Sequence, residues 1–351
     1  MKKSLIVLLF TTVLIILWSC NSKQDNRSAL AETKEKKLGK EAFAPAKNLS
    51  EYKKSIFLPT LENKLSPNKN SIYCATLLYA WDELRKEIKP PFQIDKELKD
   101  LTLLNNSQSF VDALNKGDYK SNTIVKGNNI KVNVEFSKSL PFEIKVEDLY
   151  NTLIFKNEKV YCFGIYGSDS CQSKIVEILY YKNDNEFLIS LIPKDHAHEI
   201  ILLKTNDRFN SMAKILSKIE NYINLGNYEV RTRKAEWKYT FNEDDNIIIP
   251  KIKFNIETNY PTLEGKLFKS NQQSYLIKEA MQRTAFTLDE YGAQIESESE
   301  ITTLSAMEEE KEKPQPKHLI FNKPFFIMLK KTHSKNPYFA MWVANSELMI
   351  K

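Results

Sequence analysis

The chain has 351 residues, of which 42% are hydrophobic and 27% charged, an ordinary composition for a soluble globular protein of one large or two small domains. Glycine occurs only 8 times and no GxGxxG or GxxxxGK[ST] run is present, which argues against a phosphate-binding loop. The net charge of +6 comes mainly from lysine and the few arginines are scattered, so we expect no nucleic-acid binding.

The N-terminus has the pattern of an exported lipoprotein. Two lysines precede the apolar run Leu5–Trp18, which is too short for a bilayer core of roughly 30 Å but suits the core of a signal peptide. Leu17–Cys20 then resembles a bacterial lipobox, in which a small residue permits cleavage and the Cys20 thiol accepts a lipid. A signal peptide that is cleaved elsewhere and an uncleaved anchor are the alternatives.

Three segments follow from this pattern. We predict a lipoprotein signal peptide over 1–19, a polar flexible tether over 20–49 after the lipidated Cys20, and a folded domain over 50–351. Several acyl chains on Cys20 would hold the protein stably on a membrane. We therefore expect an exported protein of the cell envelope, either an outer-membrane or a cell-surface lipoprotein.

Export places the remaining cysteines in an oxidising compartment. Cys162 and Cys171 flank a predicted turn, so a local disulfide between them is one interpretation. Cys74 lies in an apolar run and is predicted to be a buried free thiol.

The first half of the folded region contains two predicted helices and five predicted strands. Helical spacing of apolar residues predicts helices over 71–88, which Pro90-Pro91 stops, and over 108–114. Period-two alternation or β-rich composition predicts the strands, the last two of which form a hairpin: 130–136, 149–155, 160–165, 174–181 and 186–193.

The second half begins with a predicted helix over 208–222 and a strand over 247–256 that Pro250 interrupts. We read 275–285 as irregular and predict two closing strands over 321–330 and 338–344. Between them, small or apolar residues alternate with polar ones from Ala293 to Thr303, and a charged run at 308–313 follows. This segment is predicted to be an exposed loop, and the whole layout is α+β.

No set of residues indicates an enzyme. His196 and His198 lie on a polar stretch after Pro193 and are interpreted as solvated rather than as metal ligands. His318 and His333 lie in predicted loops without a serine or cysteine motif beside them. We therefore predict no catalytic residue, no metal and no cofactor.

Six short motifs, in the same order along the chain, resemble the serpin family of serine protease inhibitors. They correspond to an early helix, the third strand of a large sheet, a central hairpin, a strand with the helix after it, the strand and hinge before a reactive loop, and the closing strands: Ser71–Leu78, Val132–Phe136, Val176–Pro193, Ile249–Leu267, Ile277–Gly292 and Phe321–Asn345. The match is poor from 88 to 130, where this chain is shorter. The resemblance implies a serpin-like fold, with a large mixed β-sheet, packed helices and an exposed reactive-type loop.

The resemblance also implies a mechanism. A serine or cysteine peptidase would cut the loop at about 293–316, and the hinge side would then insert into the sheet and drag the acyl-enzyme along. The chain would act once, as a monomeric suicide substrate, and the nucleophile would belong to the peptidase. The hinge would be Glu290, Gly292, Ala293 and Ile295. The scissile bond would lie near Ala306-Met307, with 304, 311 and 313 as alternatives.

One departure leaves a second function open. Inhibitory serpins favour a run of alanines after the hinge, whereas this chain has Ile295, Glu296, Ser297 and Glu298 there. The alternative is a non-inhibitory serpin-fold lipoprotein that serves as a binding or scaffold protein of the cell envelope.

Overall fold

Strands make up most of the regular structure. The computed structural model describes residues 43–126, 129–167, 172–232, 235–294 and 315–351, and Pro45–Lys351 forms one compact unit. Its described α-helices are α1 (Thr76–Ile88), α2 (Lys99–Asn106) and α3 (Met212–Arg231). Its described strands are β1 (Lys47–Asn48), β2 (Ser55–Phe57), β3 (Asn70–Cys74), β4 (Gln93–Ile94), β5 (Tyr119–Lys126), β6 (Asn129–Phe136), β7 (Ser139–Pro141), β8 (Glu147–Phe155), β9 (Glu158–Tyr166), β10 (Val176–Asn183), β11 (Glu186–Leu191), β12 (His198–Lys204), β13 (Asn246–Pro250), β14 (Ile252–Asn259), β15 (Leu267–Ser270), β16 (Gln273–Leu276), β17 (Met281–Asp289), β18 (Gly292–Gln294), β19 (His318–Ile320), β20 (Phe325–Lys331) and β21 (Phe339–Val343).

A seven-stranded mixed sheet, in the order β10-β11-β12-β20-β21-β3-β2, forms the centre of the core. Its inner strands are apolar on consecutive residues, and Ile200–Leu203 and Phe325–Leu329 are almost completely buried. A strand that is apolar on both faces is covered on both faces, so other layers pack on each side of this sheet. The predicted closing strands therefore share a sheet with the predicted hairpin of β10 and β11, and the α+β class is confirmed.

A five-stranded sheet in the order β1-β14-β17-β18-β7 carries the hinge. β14 and β17 pair along their whole length, from Ile252 opposite Leu288 to Asn259 opposite Met281. The chain then turns tightly, and β18 runs back between β17 and β7, antiparallel to both. The outer edge of β14 is covered in two places, by β1 in parallel and by the backbone of the last residues of the chain.

The remaining strands form three smaller sheets, β19-β13-β9-β8, β16-β15-β4 and the hairpin β5-β6. The strict alternation predicted for β6 is confirmed: Ile130, Val134 and Phe136 pack against the core while Lys131 and Glu135 are exposed. After Phe136 the chain continues with two residues into β7, so β6 and β7 run one after the other toward the hinge. Among the described residues, no helix has both the length and the apolar character needed to cross a bilayer.

Two predicted helices near the start of the fold differ from the structure. The helix over 71–88 is wrong at its start, because 71–74 belong to β3 and α1 begins at Thr76; β3 is buried throughout and hides its alternation. The helix over 108–114 is wrong, since these residues form turns. They wrap around the hydroxyl of Tyr79, which accepts a hydrogen bond from the Leu114 amide at 2.8 Å and lies 2.8 Å from the Phe110 carbonyl.

Three later predictions also need correction. The irregular segment over 275–285 contains the end of β16 and much of β17, whose buried residues include the polar Gln282 and Thr284 and so obscured the pattern. The motif ending at Leu267 does not contain a helix, because the chain turns there and enters β15. α3 begins at Met212 rather than at 208, after Ser211, whose hydroxyl caps the Lys214 amide at 3.4 Å.

Candidate functional site

The hinge is a tight turn between β17 and β18. The Asp289 carboxylate accepts a hydrogen bond from the Tyr291 amide at 2.9 Å, which is the local bonding that favours aspartate in turns. Gly292 has a φ of +131°, and a Cβ placed on it would lie 2.3 Å from the Leu140 carbonyl oxygen. Only glycine fits this position without strain, because it tolerates positive φ and leaves room for the neighbouring backbone.

The first residues after the hinge already lie in the sheet. Ala293 pairs with Leu288 of β17 on one side and with Leu140 of β7 on the other, and it is 1% exposed. Gln294 pairs with Thr287 and Ser139 in the same way. β18, which contains the predicted hinge residues Gly292 and Ala293, is therefore a short inner strand that is held by backbone pairing on both sides.

A group of charged residues holds the turn in place. The Lys251 ammonium lies 2.6 Å from one oxygen of Glu290 and 2.8 Å from one oxygen of Asp148, and Glu290 is buried. Burial of the ammonium works against its charge, but the hydrogen bonds to Asp148 and Glu290 outweigh burial and raise the pKa of Lys251. The Lys145 ammonium covers the Tyr291 ring at 4.6 Å and lies 3.8 Å from Glu290.

The turn also contains a carboxyl group whose titration is shifted. Burial of Asp289, reinforced by the charge of Glu290 and opposed by the hydrogen bond from Tyr291, raises the pKa of Asp289 to about 6. The ionised carboxylate is therefore held at a cost near neutral pH, and the turn becomes more favourable as Asp289 takes up a proton.

Two strands close to β18 along the sheet or the chain, β17 and β6, each have an edge without a strand partner among the described residues. β18 covers only the last three residues of β17, and among the described residues no strand pairs with 281–286 on the side away from β14. Likewise, within the described part of the chain β6 pairs only with β5. Unpaired backbone groups on such edges are ready to accept another strand.

The side chains on the buried face of β17 form a polar patch. The Gln282 amide nitrogen lies 2.6 Å from the Thr76 hydroxyl and 3.1 Å from the Cys74 carbonyl oxygen, and its amide oxygen accepts a hydrogen bond from Tyr260. The hydroxyl of Thr284, two residues along the same face, is buried and finds no hydrogen-bond partner among the residues that the structure describes. A buried hydroxyl without a partner costs stability, so a group that could bond it would be favoured there.

On the far side of the loop, the chain returns to the fold through a second buried ion pair. The Lys317 ammonium lies 2.7 Å from one oxygen of Asp245 and 3.0 Å from the Trp237 carbonyl oxygen, and both charged side chains are fully buried. The second oxygen of Asp245 accepts a hydrogen bond from the Lys317 amide at 2.7 Å. The Asn242 backbone amide donates a hydrogen bond of 2.7 Å to the Asp245 oxygen that contacts the Lys317 ammonium. Because each charged group is hydrogen-bonded, this end of the loop is fixed firmly.

The structure brings together three of the predicted hinge residues, Glu290, Gly292 and Ala293. Ile295 and the predicted scissile pair Ala306 and Met307 lie outside the described residues, as do the lipidation site Cys20 and the cysteine Cys171. These assignments and the disulfide of Cys162 with Cys171 stay predictions. Cys74 is buried and free, as predicted.

One of the sequence interpretations is wrong. His198 is not solvated but 7% exposed, because it begins a central strand and its Nδ1 lies 3.1 Å from the Tyr338 hydroxyl. No group of three His, Cys, Asp or Glu residues that could hold a metal ion occurs in the described ranges.

Sequence reasoning missed the ion pairs at both ends of the loop. Lys251 lies within the Ile249–Leu267 motif, but its role as the partner of Glu290 and Asp148 depends on contacts between strands that are distant in sequence. Lys317 and Asp245 carried no signal, since a lysine and an aspartate in a charged chain are normally exposed.

Comparisons with known proteins gave matches among solved structures, at low sequence identity. No protein-family model matches the sequence, and no curated protein matches it. Among solved structures, the chain is similar to Serpin48 of the insect Tenebrio molitor, with 15% identity over 77% of this chain and 64% of that one and a TM-score of 0.32. It is also similar to Tengpin, a thermophilic serpin in its native state, with 14% identity over 72% and 64% of the two chains and a TM-score of 0.33.

Native protease nexin-1 with heparin is a third similar structure, with 10% identity over 62% of this chain and 56% of that one and a TM-score of 0.36. The chain spans less than two thirds of the length of each of these three serpins. At such TM-scores the likeness alone does not establish a family, so membership of this chain among the serpins belongs with the proposals below.

Proposed function

We propose that this chain is a serpin-like inhibitor of serine-type endopeptidases, which acts as a suicide substrate through the loop at about 293–316. The observation that carries the proposal is β18, which lies between β17 and β7 and points along the unpaired edges of β17 and β6. A strand that is seated at one end and has free edges ahead of it can lengthen once its far end is cut.

The burial of Ala293 sets which side chains an inserted strand would bury. Alternate residues of a strand share a face, so Ile295, Ser297 and Ser299 would follow Ala293 into the core. The intervening Glu296, Glu298 and Glu300 would then face solvent. The pattern of the loop therefore suits insertion in this phase, although it lacks an alanine run.

The register of β18 also supports the proposal. Because Thr287 is opposite Gln294, an extension in the same register would place Ser297 opposite Thr284 and Ser299 opposite Gln282. Residues directly opposite each other share a face, and serine–threonine pairs can form hydrogen bonds there. Ser297 could thus supply the partner that the buried Thr284 hydroxyl lacks.

Insertion has a physical driving force. Each new backbone hydrogen bond contributes roughly 0.5–1.5 kcal/mol net, and an inner strand makes such bonds on both sides. The partner peptidase would be a serine or cysteine enzyme, trapped as an acyl-enzyme, and the chain itself would have no enzymatic role. Incubation of the purified domain with a panel of serine peptidases should give a covalent complex that survives SDS, and a nicked loop should raise the melting temperature.

A matched pair of substitutions tests the insertion itself. Ser297→Arg puts a charge on the side that would be buried, whereas Glu298→Arg puts the same side chain on the side that would face water. We expect the first variant to be cleaved without forming a complex or gaining thermal stability, and the second to behave as the unmodified protein. Equal behaviour of both variants would contradict the proposed insertion.

The second candidate is a non-inhibitory scaffold protein. It is favoured by the bulky Ile295 and the alternating glutamates, and by the Lys251 ion pair that holds Glu290 in place. Clean cleavage of the loop by every peptidase, with no complex and no rise in melting temperature, would support this candidate over inhibition.

We also propose that the protein works at a membrane surface, attached through a lipid on Cys20. The basis is the sequence of the first twenty residues, in which a short apolar run precedes the cysteine. Replacement Cys20→Ser should move the protein from the membrane fraction to the soluble fraction. If the variant remains with the membrane, the lipid is not the anchor.

A further inference from the structure

A buried histidine lies at the base of the β5–β6 hairpin. His198 Nδ1 is 3.1 Å from the Tyr338 hydroxyl, and its Nε2 is 3.7 Å from one oxygen of Asp195. The same Asp195 oxygen is 2.6 Å from the Lys138 ammonium, and both of these side chains are buried. Lys138 stands between β6 and β7, so this ion pair attaches the end of the hairpin to the turn that precedes β12.

A second ion pair holds the other strand of the hairpin. The Lys331 ammonium is 2.9 Å from one oxygen of Asp118, which directly precedes β5. Lys331 ends β20 and is paired across the sheet with His198. Both ends of the hairpin are therefore tied to the seven-stranded sheet next to the same imidazole.

Beyond this base the hairpin is held on one face only, where β6 packs against α1 and the Tyr119 ring lies 4.5 Å from the Tyr79 ring. Phe136 packs on the Tyr338 ring at 5.2 Å, and one face of β6 rests on the core. The other face is exposed, and within the described ranges neither strand pairs with a third strand. A two-stranded hairpin is only marginally stable by itself, so its docking depends on the ion pairs at its base together with its packing on α1.

Protonation of His198 would disturb this base in two ways. The groups that face the imidazole are Lys138, Lys331, Asp195, Asp118 and Tyr338, whose charges balance while the histidine is neutral. A proton on the imidazole would add an uncompensated buried positive charge. In the tautomer that carries its proton on Nε2, toward Asp195, protonation would also turn Nδ1 into a donor, and the Tyr338 hydroxyl hydrogen would lose its acceptor.

The pKa of His198 is shifted in the direction that these contacts predict. Burial, and then the charge of Lys138, lower the pKa of His198 to about 4. In an opened hairpin the imidazole would be in water and would titrate near its ordinary value of 6.5.

We propose that His198 is an acid-operated latch: when it takes up a proton, the β5–β6 hairpin detaches from the seven-stranded sheet while the central strands stay folded. The latch does not depend on peptidase inhibition. If the loop does insert, however, β6 borders the space it would enter, and detachment would remove that border.

The size of the effect follows from proton linkage. Docking of the hairpin lowers the pKa of His198. The stability of the docked hairpin is therefore unaffected by pH above 6.5 and falls progressively as the pH drops from 6.5 to 4. At pH 5 the opening equilibrium of the hairpin should be about 30-fold more favourable than at pH 7.5, from the two pKa values alone.

Amide hydrogen exchange on the purified protein tests this inference, after correction for the intrinsic pH dependence of exchange. We expect the amides of β5 and β6 to lose about 30-fold protection between pH 7.5 and pH 5, while β11 and β12 keep theirs. His198→Asn, which keeps an acceptor for Tyr338 but does not titrate, should remove the pH dependence. His198→Phe should do so as well if the amide variant does not fold.

His333→Gln is the control, because His333 is exposed and lies in the turn after β20. This variant should retain the full acid response. Three results would each overturn the latch: equal protection of the hairpin at both pH values, the same acid response in the His198→Asn protein, or a loss of protection that β11 and β12 share. None of these measurements involves a peptidase, so they are separate from the test of inhibition.

Discussion

The two ends of the loop are attached in different ways. At the far end, Lys317 and Asp245 are both completely buried, and each also has a hydrogen bond to a backbone group. At the hinge, Lys251 and Glu290 are slightly accessible, and the second partner of Lys251, Asp148, is 28% exposed. A dry ion pair cannot be exchanged for water without a large cost, whereas a partly wet one can.

This contrast shows which end can move. The far end is a fixed point at which the chain re-enters the core through β19. The hinge depends on three strand residues, a glycine with positive φ and an ion pair whose members are partly accessible. The described residues on the hinge side are therefore held less firmly than those at the far end, and the hinge side is the one that the proposed insertion requires to move.

The largest expected effect is at the fixed end. Asp245→Ala leaves the Lys317 ammonium buried without a counter-charge, which should cost about 3–5 kcal/mol of unfolding free energy. The double variant Lys317→Met with Asp245→Leu removes both charges and should recover most of that loss. Chemical denaturation measures both, and a small effect of Asp245→Ala alone would mean that this end is not a rigid anchor.

Gly292→Ala should have the next largest effect. The added Cβ would lie 2.3 Å from the Leu140 carbonyl oxygen at a φ of +131°, so we expect a loss of about 1–3 kcal/mol and faster proteolysis near 292. Gly117→Ala is the matched control, because a Cβ there meets nothing within 4 Å. Similar losses in both variants would show that the hinge glycine is not special.

Asp289→Asn should stabilise the hinge in a pH-dependent manner. The folded state raises the pKa of Asp289 to about 6 from 3.8, so the carboxylate destabilises the fold above pH 6 and this penalty disappears as pH falls toward 3.8. Asparagine keeps the acceptor for the Tyr291 amide without the charge. The variant should therefore melt at a higher temperature at pH 7.5, with a gain that shrinks on acidification, and a constant gain would contradict this explanation.

The smallest expected effect is that of Thr284→Val. Valine keeps the shape of the side chain and removes the hydroxyl that lacks a described partner. The free energy of unfolding of the uncut protein should therefore rise, by less than about 1 kcal/mol. If Ser297 bonds Thr284 after insertion, the nicked variant should gain less thermal stability than the nicked parent. An unchanged gain would remove Ser297 as the partner of Thr284.

Sequence reasoning found the parts of the fold that have a local cause. The alternation of β6, the apolar runs of β11 and β20, and the turn glycine at 292 each leave a pattern in neighbouring residues. It failed where the cause was distant. β3 was taken for helix because burial on both faces removes alternation, and β17 was missed because it buries Gln282 and Thr284.

The same distinction between local and distant causes applies to the residues of the candidate site. Glu290, Gly292 and Ala293 could be predicted from the resemblance of their stretch to a serpin hinge, since they lie in one short segment of chain. The lysines that hold the two ends of the loop could not, because the partners of Lys251 and Lys317 are separated from them by long stretches of sequence. His198 was misjudged for the same reason, since its burial depends on Tyr338 from the other end of the domain.

β1 has a practical consequence for anyone who isolates the domain. Its two residues, Lys47 and Asn48, cover part of the outer edge of β14, and the tail near Met349 covers another part. A protein that is cut to begin at residue 50 would lose the first of these covers and present a bare strand edge, which invites molecules to stack edge to edge. The short segment that leads away from the fold toward the N-terminus therefore also helps to keep neighbouring copies apart.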